Sequence, residues 1–364
     1  MNSILNARVS TISLFLFLLL SYVYNLQSTY LRLMVVIAWV ILFVILVLRF
    51  NIVTRKGPAL ILSLLPLLFY MISVLANSDT LLLNLSGSKV EVLTAFLTPI
   101  MILAVLKLNK FSINNDHIFK LFLVLLIIFI FDLFLRYMME PDCFMNYSCR
   151  KEAKTVGLFA TSNVTGASLA LLINVALILK FKFKNIFIIL FSILLITTMA
   201  RSAILACLFG VFFYAFLNLK DIYIKVFVMF FSFVSLILII IELNLLVDGS
   251  FLSKLDFIVR TISVMSNANT PQFFFGFGVG FDSIATLLNV NGWSPHLPFL
   301  KALLYFGFFG LVFYLIPLIY VMRYSNTLHL LSTYFIFSLA GAPMVSPALI
   351  ASLILSQQNL VKAK

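Results

Sequence analysis

Three side chains stand where a charge or a titratable group needs an explanation. Arg201 interrupts the apolar run Ile193-Leu-Leu-Ile-Thr-Thr-Met-Ala-Arg-Ser-Ala-Ile-Leu-Ala. A charge inside such a run is costly and marks a site by default. Arg201 either caps a tight hairpin at the membrane surface or binds an anion. In the second reading a helix starting at Ser202 puts its positive N-terminal end beside the guanidinium, which suits phosphate or pyrophosphate. Arg260 lies in Lys254-Leu-Asp-Phe-Ile-Val-Arg-Thr-Ile-Ser-Val. The spacing of Leu255, Ile258, Val259 and Ile262 predicts an amphipathic helix lying at the membrane surface. On it Arg260 is either a solvated, snorkelling cation or part of a site. His296 sits in Gly292-Trp-Ser-Pro-His-Leu-Pro298, just before a long apolar run. It is either structural or a general base near neutral pH. Trp293 beside it either anchors the chain at the interface or stacks on a sugar ring.

Other chemistries find little support. The close acids Glu140 and Asp142 flank Pro141, and the three histidines are far apart in sequence. No Walker A, His-Glu-x-x-His or Cys-x-x-Cys pattern occurs. We therefore expect no metal and no cofactor. Gly276-Phe-Gly-Val-Gly280 does not have dinucleotide-site spacing and reads as tight turns. Gly307 and Gly310 fit close helix packing. In an oxidising compartment Cys143 and Cys149 are either a disulfide pair or two free thiols. Cys207 reads as a small packing residue. Asp132 and Glu242 are acids in or near apolar runs, and Asp132 has an i,i+4 partner in Arg136.

The elements that must position these residues follow from composition. Of 364 residues, 63% are hydrophobic and only 10% are charged. Soluble domains carry about 25% charge. At roughly 20 residues per crossing, the apolar content supplies about eleven to twelve membrane helices. Long uncharged runs exclude an outer-membrane barrel, whose strands alternate. The expectation is an all-α polytopic integral membrane protein of about 12 transmembrane helices, with residues 1–364 forming a single membrane domain. Spans are expected at about 11–24, 33–48, 58–76, 92–106, 121–135, 155–179, 185–200, 202–219, 226–247 and 302–322, with two more in 324–361 split by Gly341-Ala-Pro343. The first run has no small-residue cleavage site after it and reads as a span.

The net charge of +13 is therefore read as topology, with no nucleic-acid partner. With alternating spans, one side collects 15 Lys and Arg against Asp116 and Asp221 only. The other carries ten basic and eight acidic residues. By the positive-inside rule the first side is cytoplasmic, and it holds both termini. The longer loops, about 138–161 and 248–298, then face outward. A loop of ~50 residues exceeds what a connection needs, so the chemistry is expected there.

These features resemble the O-antigen polymerase and ligase superfamily of membrane glycosyltransferases. Thr197-Thr-Met-Ala-Arg-Ser202 resembles that family's Thr-x-Ser-Arg pattern at a helical hairpin, with Ala200 where Ser is common. Phe275-Gly-Phe-Gly-Val-Gly280 resembles the turn opening the second half of its large outer loop. His296, followed by Leu300, Leu303, Leu304, Gly307 and Gly310, resembles its His-containing approach to the next helix, with Leu297 where Asn often follows. Gly157-Leu-Phe-Ala-Thr-Ser-Asn163 resembles the polar start of the sixth helix. The likeness covers residues 155–320 and implies a GT-C-like, metal-independent transferase in the bacterial inner membrane, with its active site at the periplasmic face. Donor and acceptor would be oligosaccharides on undecaprenyl pyrophosphate, with membrane lipid and a chain-length regulator as further partners. Arg201 and Arg260 would hold the donor pyrophosphate and His296 would take the acceptor proton. Trp293 and Asn163 would contact substrate. Polymerisation of repeat units is the reading adopted. The alternatives are ligase-type transfer to lipid A–core and, from another class, a lipid-linked glycan flippase.

Overall fold

A computed structural model describes residues 2–23, 26–49, 113–139, 141, 157–159, 161–227, 249–277, 287–288, 298–322, 327–338 and 347–362. Among them the chain is helical, with no strand beyond a single bridge between Leu26 and Phe159. The helices are α1 (Asn2–Val23), α2 (Thr29–Arg49), α3 (Asn115–Met139), α4 (Ser162–Ile178), α5 (Lys184–Thr197), α6 (Arg201–Asn218), α7 (Gly249–Ser266), α8 (Thr270–Phe275), α9 (Pro298–Met322), α10 (Leu328–Ser338) and α11 (Pro347–Lys362). The expected spans at 58–76 and 92–106, nearly all of that at 226–247, and Glu242, Cys143, Cys149, Gly278, Gly280 and the 341–343 turn lie outside the described residues. Among the described residues, three helical segments are long and apolar enough to cross a bilayer: Asn115–Met139, Arg201–Asn218 and Phe299–Ile316.

Local sequence sets where these helices start. Asn114 accepts the Asp116 amide at 3.3 Å through its side chain. Asp116 in the first turn of α3 and Arg136 in its last both complement the helix dipole. Thr161 caps α4 by accepting from the Val164 amide at 3.4 Å. Asn269 and Gln272 form a reciprocal capping box at α8.

The α4 helix is the hub. Its residues Ser168 to Ala176 are all buried, so no side of this stretch faces lipid or water. It packs on α5, α6, α10 and α11. Small residues permit that crowding. A Cβ on Gly166 would sit 2.8 Å from Ala203 and 2.9 Å from Ala200. A Cβ on Gly210 would collide with Thr333 and Asn174. At this crossing Asn174 donates to the Ala170 carbonyl at 2.9 Å, and the His329 ring lies 3.1 Å from the Asn174 carbonyl. Cys207 is buried in the same contact, as expected of a packing residue.

Polar bonds join the remaining helices to the hub. Trp39 stacks on Phe17 at 5.3 Å and donates to Ser21 at 2.7 Å, closing the α1–α2 hairpin. The Tyr22 and Ser352 hydroxyls meet at 2.6 Å and tie α1 to α11. At one end of the bundle Gln27 donates to the Leu158 carbonyl and Tyr137 to the Thr197 carbonyl. At the other end Phe119 packs on Phe183 and Phe187, and Tyr214 donates to the Leu177 carbonyl.

The span expected at 302–322 lies within α9, which starts at Pro298, but Gly307 inside it has φ 67 and ψ −163, which are not helical. The chain therefore breaks there. The cause is backbone crowding: a Cβ on Gly307 would fall against the Phe274 carbonyl, and one on Gly276 against the Tyr305 carbonyl. Phe277 donates to the Leu304 carbonyl at 2.8 Å across the same contact. Two glycines let the end of α8 lie in the break. Gly307→Ala should cost at least about 1–3 kcal/mol, from the left-handed φ and the clash together. Thermal unfolding of purified protein in detergent checks this, and an unchanged midpoint would contradict the interlock.

Candidate functional site

Arg201 is the first residue of α6, one position earlier than the sequence suggests, and it is exposed. A tight turn delivers it. Met199 has φ 51, and the Thr198 hydroxyl donates to the Leu195 carbonyl at 2.7 Å while accepting from the Ala200 amide at 3.3 Å. Thr198 is thus the residue that fixes the hairpin. Ala200 at the N-cap offers no side-chain oxygen to the first turn of α6. A guanidinium and the positive end of an 18-residue helix then point from one corner, an arrangement suited to an anion.

Asn163 lies in the first turn of α4 and is partly exposed. One turn on, Gly166 packs against Ala200 and Ala203. The start of α4 therefore abuts the start of α6, and Asn163 and Arg201 share that end of the bundle.

The start of α4 is itself held by a buried ion pair. Asp132 and Arg136 on α3 are 0% and 2% exposed. Arg136 Nε donates to Asp132 Oδ2 at 3.0 Å, and the Thr165 hydroxyl donates to the same oxygen at 3.0 Å. Asp132 Oδ1 accepts the amides of Leu158 at 2.7 Å and Phe159 at 3.0 Å. Arg136 Nη2 reaches the Phe159 carbonyl at 3.2 Å. The i,i+4 pairing expected from the sequence is present, but its partners in 158–165 were invisible there. Gly157, with φ +132, allows the close approach, since a Cβ would sit 2.8 Å from Asp132 Oδ1. The acid's lone pairs are engaged on both oxygens, which suits a structural latch.

Arg260 lies on α7, and the expected helix is present over Gly249–Ser266. Its Nε donates to Asp256 Oδ2 at 2.7 Å, and its Nη1 to the Leu288 carbonyl at 3.0 Å. These contacts orient a guanidinium whose side chain is 38% exposed. Val259 and Ile262 of the apolar stripe are 64% and 61% exposed, and Phe257, Thr261 and Met265 face the protein on the other side. The Thr261 hydroxyl is buried with no hydrogen-bond partner among the described residues.

His296 and Trp293 lie outside the described residues, so the convergence of Arg201, Arg260 and His296 on one pocket is not drawn from the fold. One cation escaped the sequence reading. Lys301, in the first turn of α9, is 4% exposed and stands five residues after His296. Its place at the edge of an apolar run gives no signal of burial in the sequence. Among the described residues no three His, Cys, Asp or Glu side chains gather as a metal site. No family model, curated protein or solved structure matches this chain.

Proposed function

We propose that this chain is an integral-membrane glycosyltransferase of the O-antigen polymerase type. It would transfer a growing glycan from undecaprenyl pyrophosphate to the non-reducing end of the next lipid-linked repeat unit, outside the inner membrane. The observation that carries the reading is the α5–α6 hairpin, which puts exposed Arg201 on the N-terminal corner of α6 beside the Asn163 end of α4. Such a corner can neutralise the charge that develops on a departing pyrophosphate. Arg260, oriented by Asp256 and Leu288, would supply a second cation, and His296 would accept the acceptor hydroxyl's proton. Twelve spans with both termini cytoplasmic place these residues together on the periplasmic side by the positive-inside count. The saturated Asp132–Arg136 pair speaks against a carrier, because the acid best placed for ion coupling is already committed to holding the start of α4.

The test is a lipopolysaccharide gel from a strain lacking the gene, with and without its restoration. The expected result is a ladder that collapses to core plus one repeat and returns on complementation. Loss of all O-antigen bands with polymer accumulating on the carrier would mean ligase. Single repeats trapped on the inner face would mean flippase, and the roles given to Arg201, Arg260 and His296 would be withdrawn.

A further inference from the structure

We propose that the turn between α4 and α5 is a binding site for an anionic phospholipid of the leaflet on that side, with the headgroup held by lysines and an acyl chain lying along α5. The turn forms an open groove of about 690 Å³ lined by Asn115, Lys180, Lys182, Phe183, Lys184 and Asn185. Three lysines converge on it and no acid lines it. Ammonium groups attract anionic headgroups at a membrane surface, and each adds to the attraction.

The lysines are placed by a rigid floor. Phe181 is buried and packs on Phe122 at 4.8 Å and on Phe187 at 5.8 Å. Phe183 takes a left-handed φ of 62, which turns the chain sharply between the helices. Lys182 Nζ lies 4.8 Å from the Phe183 ring centroid, and Lys184 Nζ donates to the Leu177 carbonyl at 3.4 Å. Both side chains are thereby restrained, where long solvated ones would otherwise sample many rotamers.

The second observation names the occupant. Phe183, Ile186, Ile189, Ile193 and Ile196 are 51%, 52%, 59%, 53% and 54% exposed. Their spacing of three and four residues puts them on one face of α5. This apolar stripe begins at the groove and runs the length of the helix. A free phosphate would use the lysines but not the stripe. A phospholipid uses both, since its charged head and its acyl chain are joined in the same order. The asparagine amides in the groove can donate to the phosphate or glycerol oxygens.

The experiment uses purified full-length protein in phosphatidylcholine nanodiscs carrying a trace of fluorescent phosphatidylglycerol. Energy transfer to a dye on the protein near Asn218 reads enrichment. Wild type should enrich the labelled lipid, and Lys180→Gln/Lys182→Gln/Lys184→Gln should lose at least about fivefold of that enrichment. Neutralising lysines also weakens a topology signal, so two further variants keep the test decisive. Lys180→Arg/Lys182→Arg/Lys184→Arg should bind like wild type. Asn185→Trp, which fills the groove at constant charge, should lose enrichment. Equal enrichment in wild type and Asn185→Trp would overturn the site in favour of diffuse attraction. Complete displacement of the lipid by excess inorganic phosphate would also overturn it, in favour of a free anion.

Discussion

Asp132→Ala should destabilise the protein by about 3–5 kcal/mol, the usual cost of removing one partner from a buried ion pair. The argument rests on what Ala would leave behind. Arg136 is 2% exposed, so its charge would stay buried with its main counterion gone. The amides of Leu158 and Phe159 and the Thr165 hydroxyl would lose their acceptor as well, and each unsatisfied buried donor adds a penalty. Asp132→Asn is the more informative variant. It keeps the shape and one acceptor oxygen but not the charge, so it should fall between wild type and Asp132→Ala. The double variant Asp132→Leu/Arg136→Met removes both charges. It should recover part of the loss, because no buried charge remains and the residual cost is that of the Leu158 and Phe159 amides, the Thr165 hydroxyl and the Phe159 carbonyl. Thermal unfolding in detergent, followed by size-exclusion chromatography, checks the order. An Asp132→Ala midpoint equal to wild type would contradict the latch. Phosphatidylcholine proteoliposomes separate the two roles an intramembrane acid can have. A coupling acid changes transport at constant stability, whereas this one should change stability first.

That pair also shows how far the sequence could be read. The spacing of Asp132 and Arg136 made their pairing visible, since side chains four apart on a helix meet. Their deeper partners were not visible. The contacts to Leu158, Phe159 and Thr165 depend on how the residues before α4 fold back on α3, and no local pattern encodes that. The helical, membrane character was legible because apolar content and scarce charge bound it directly. Faces were less legible. On α7 the exposed Val259 and Ile262 belong to the stripe expected at the membrane surface, but the inward side, Phe257, Thr261 and Met265, was not identified from the sequence. A surface helix between lipid and protein is apolar on two sides, so hydrophobic periodicity cannot say which side meets which partner. Gly307 escaped for a related reason. Glycines within an apolar run signal close packing, but whether the helix bends or breaks depends on what approaches. Here it is the backbone at Phe274 and Gly276. Lys301 was missed because a lysine at the edge of an apolar run ordinarily snorkels to the interface, and its burial is decided by neighbours on other elements.

Arg201→Ala should lower polymer formation by roughly 10²–10³-fold, the range for removing one preorganised group that stabilises transition-state charge. The site geometry sharpens the expectation. Arg201 is exposed at the corner where α6 begins, so truncation leaves no buried charge behind. Thr198 holds the turn through its bonds to the Leu195 carbonyl and the Ala200 amide. Membrane levels of Arg201→Ala should therefore match wild type, whereas Thr198→Val should disturb the hairpin and lower both level and activity. Arg201→Lys divides charge from shape. If the fork matters, Lys restores only part of the activity, because an ammonium makes point contacts where guanidinium makes two parallel ones. Arg260→Ala should also abolish long chains. Asp256→Ala should act more weakly in the same direction, since Arg260 keeps its bond to the Leu288 carbonyl when the carboxylate is gone. The readout is the length distribution of the ladder on a lipopolysaccharide gel, normalised to protein in the membrane fraction. Wild-type ladders from Arg201→Ala at normal protein levels would remove that residue from the chemistry. It would leave the hairpin as a structural corner, with the anion it was thought to hold bound elsewhere or not at all.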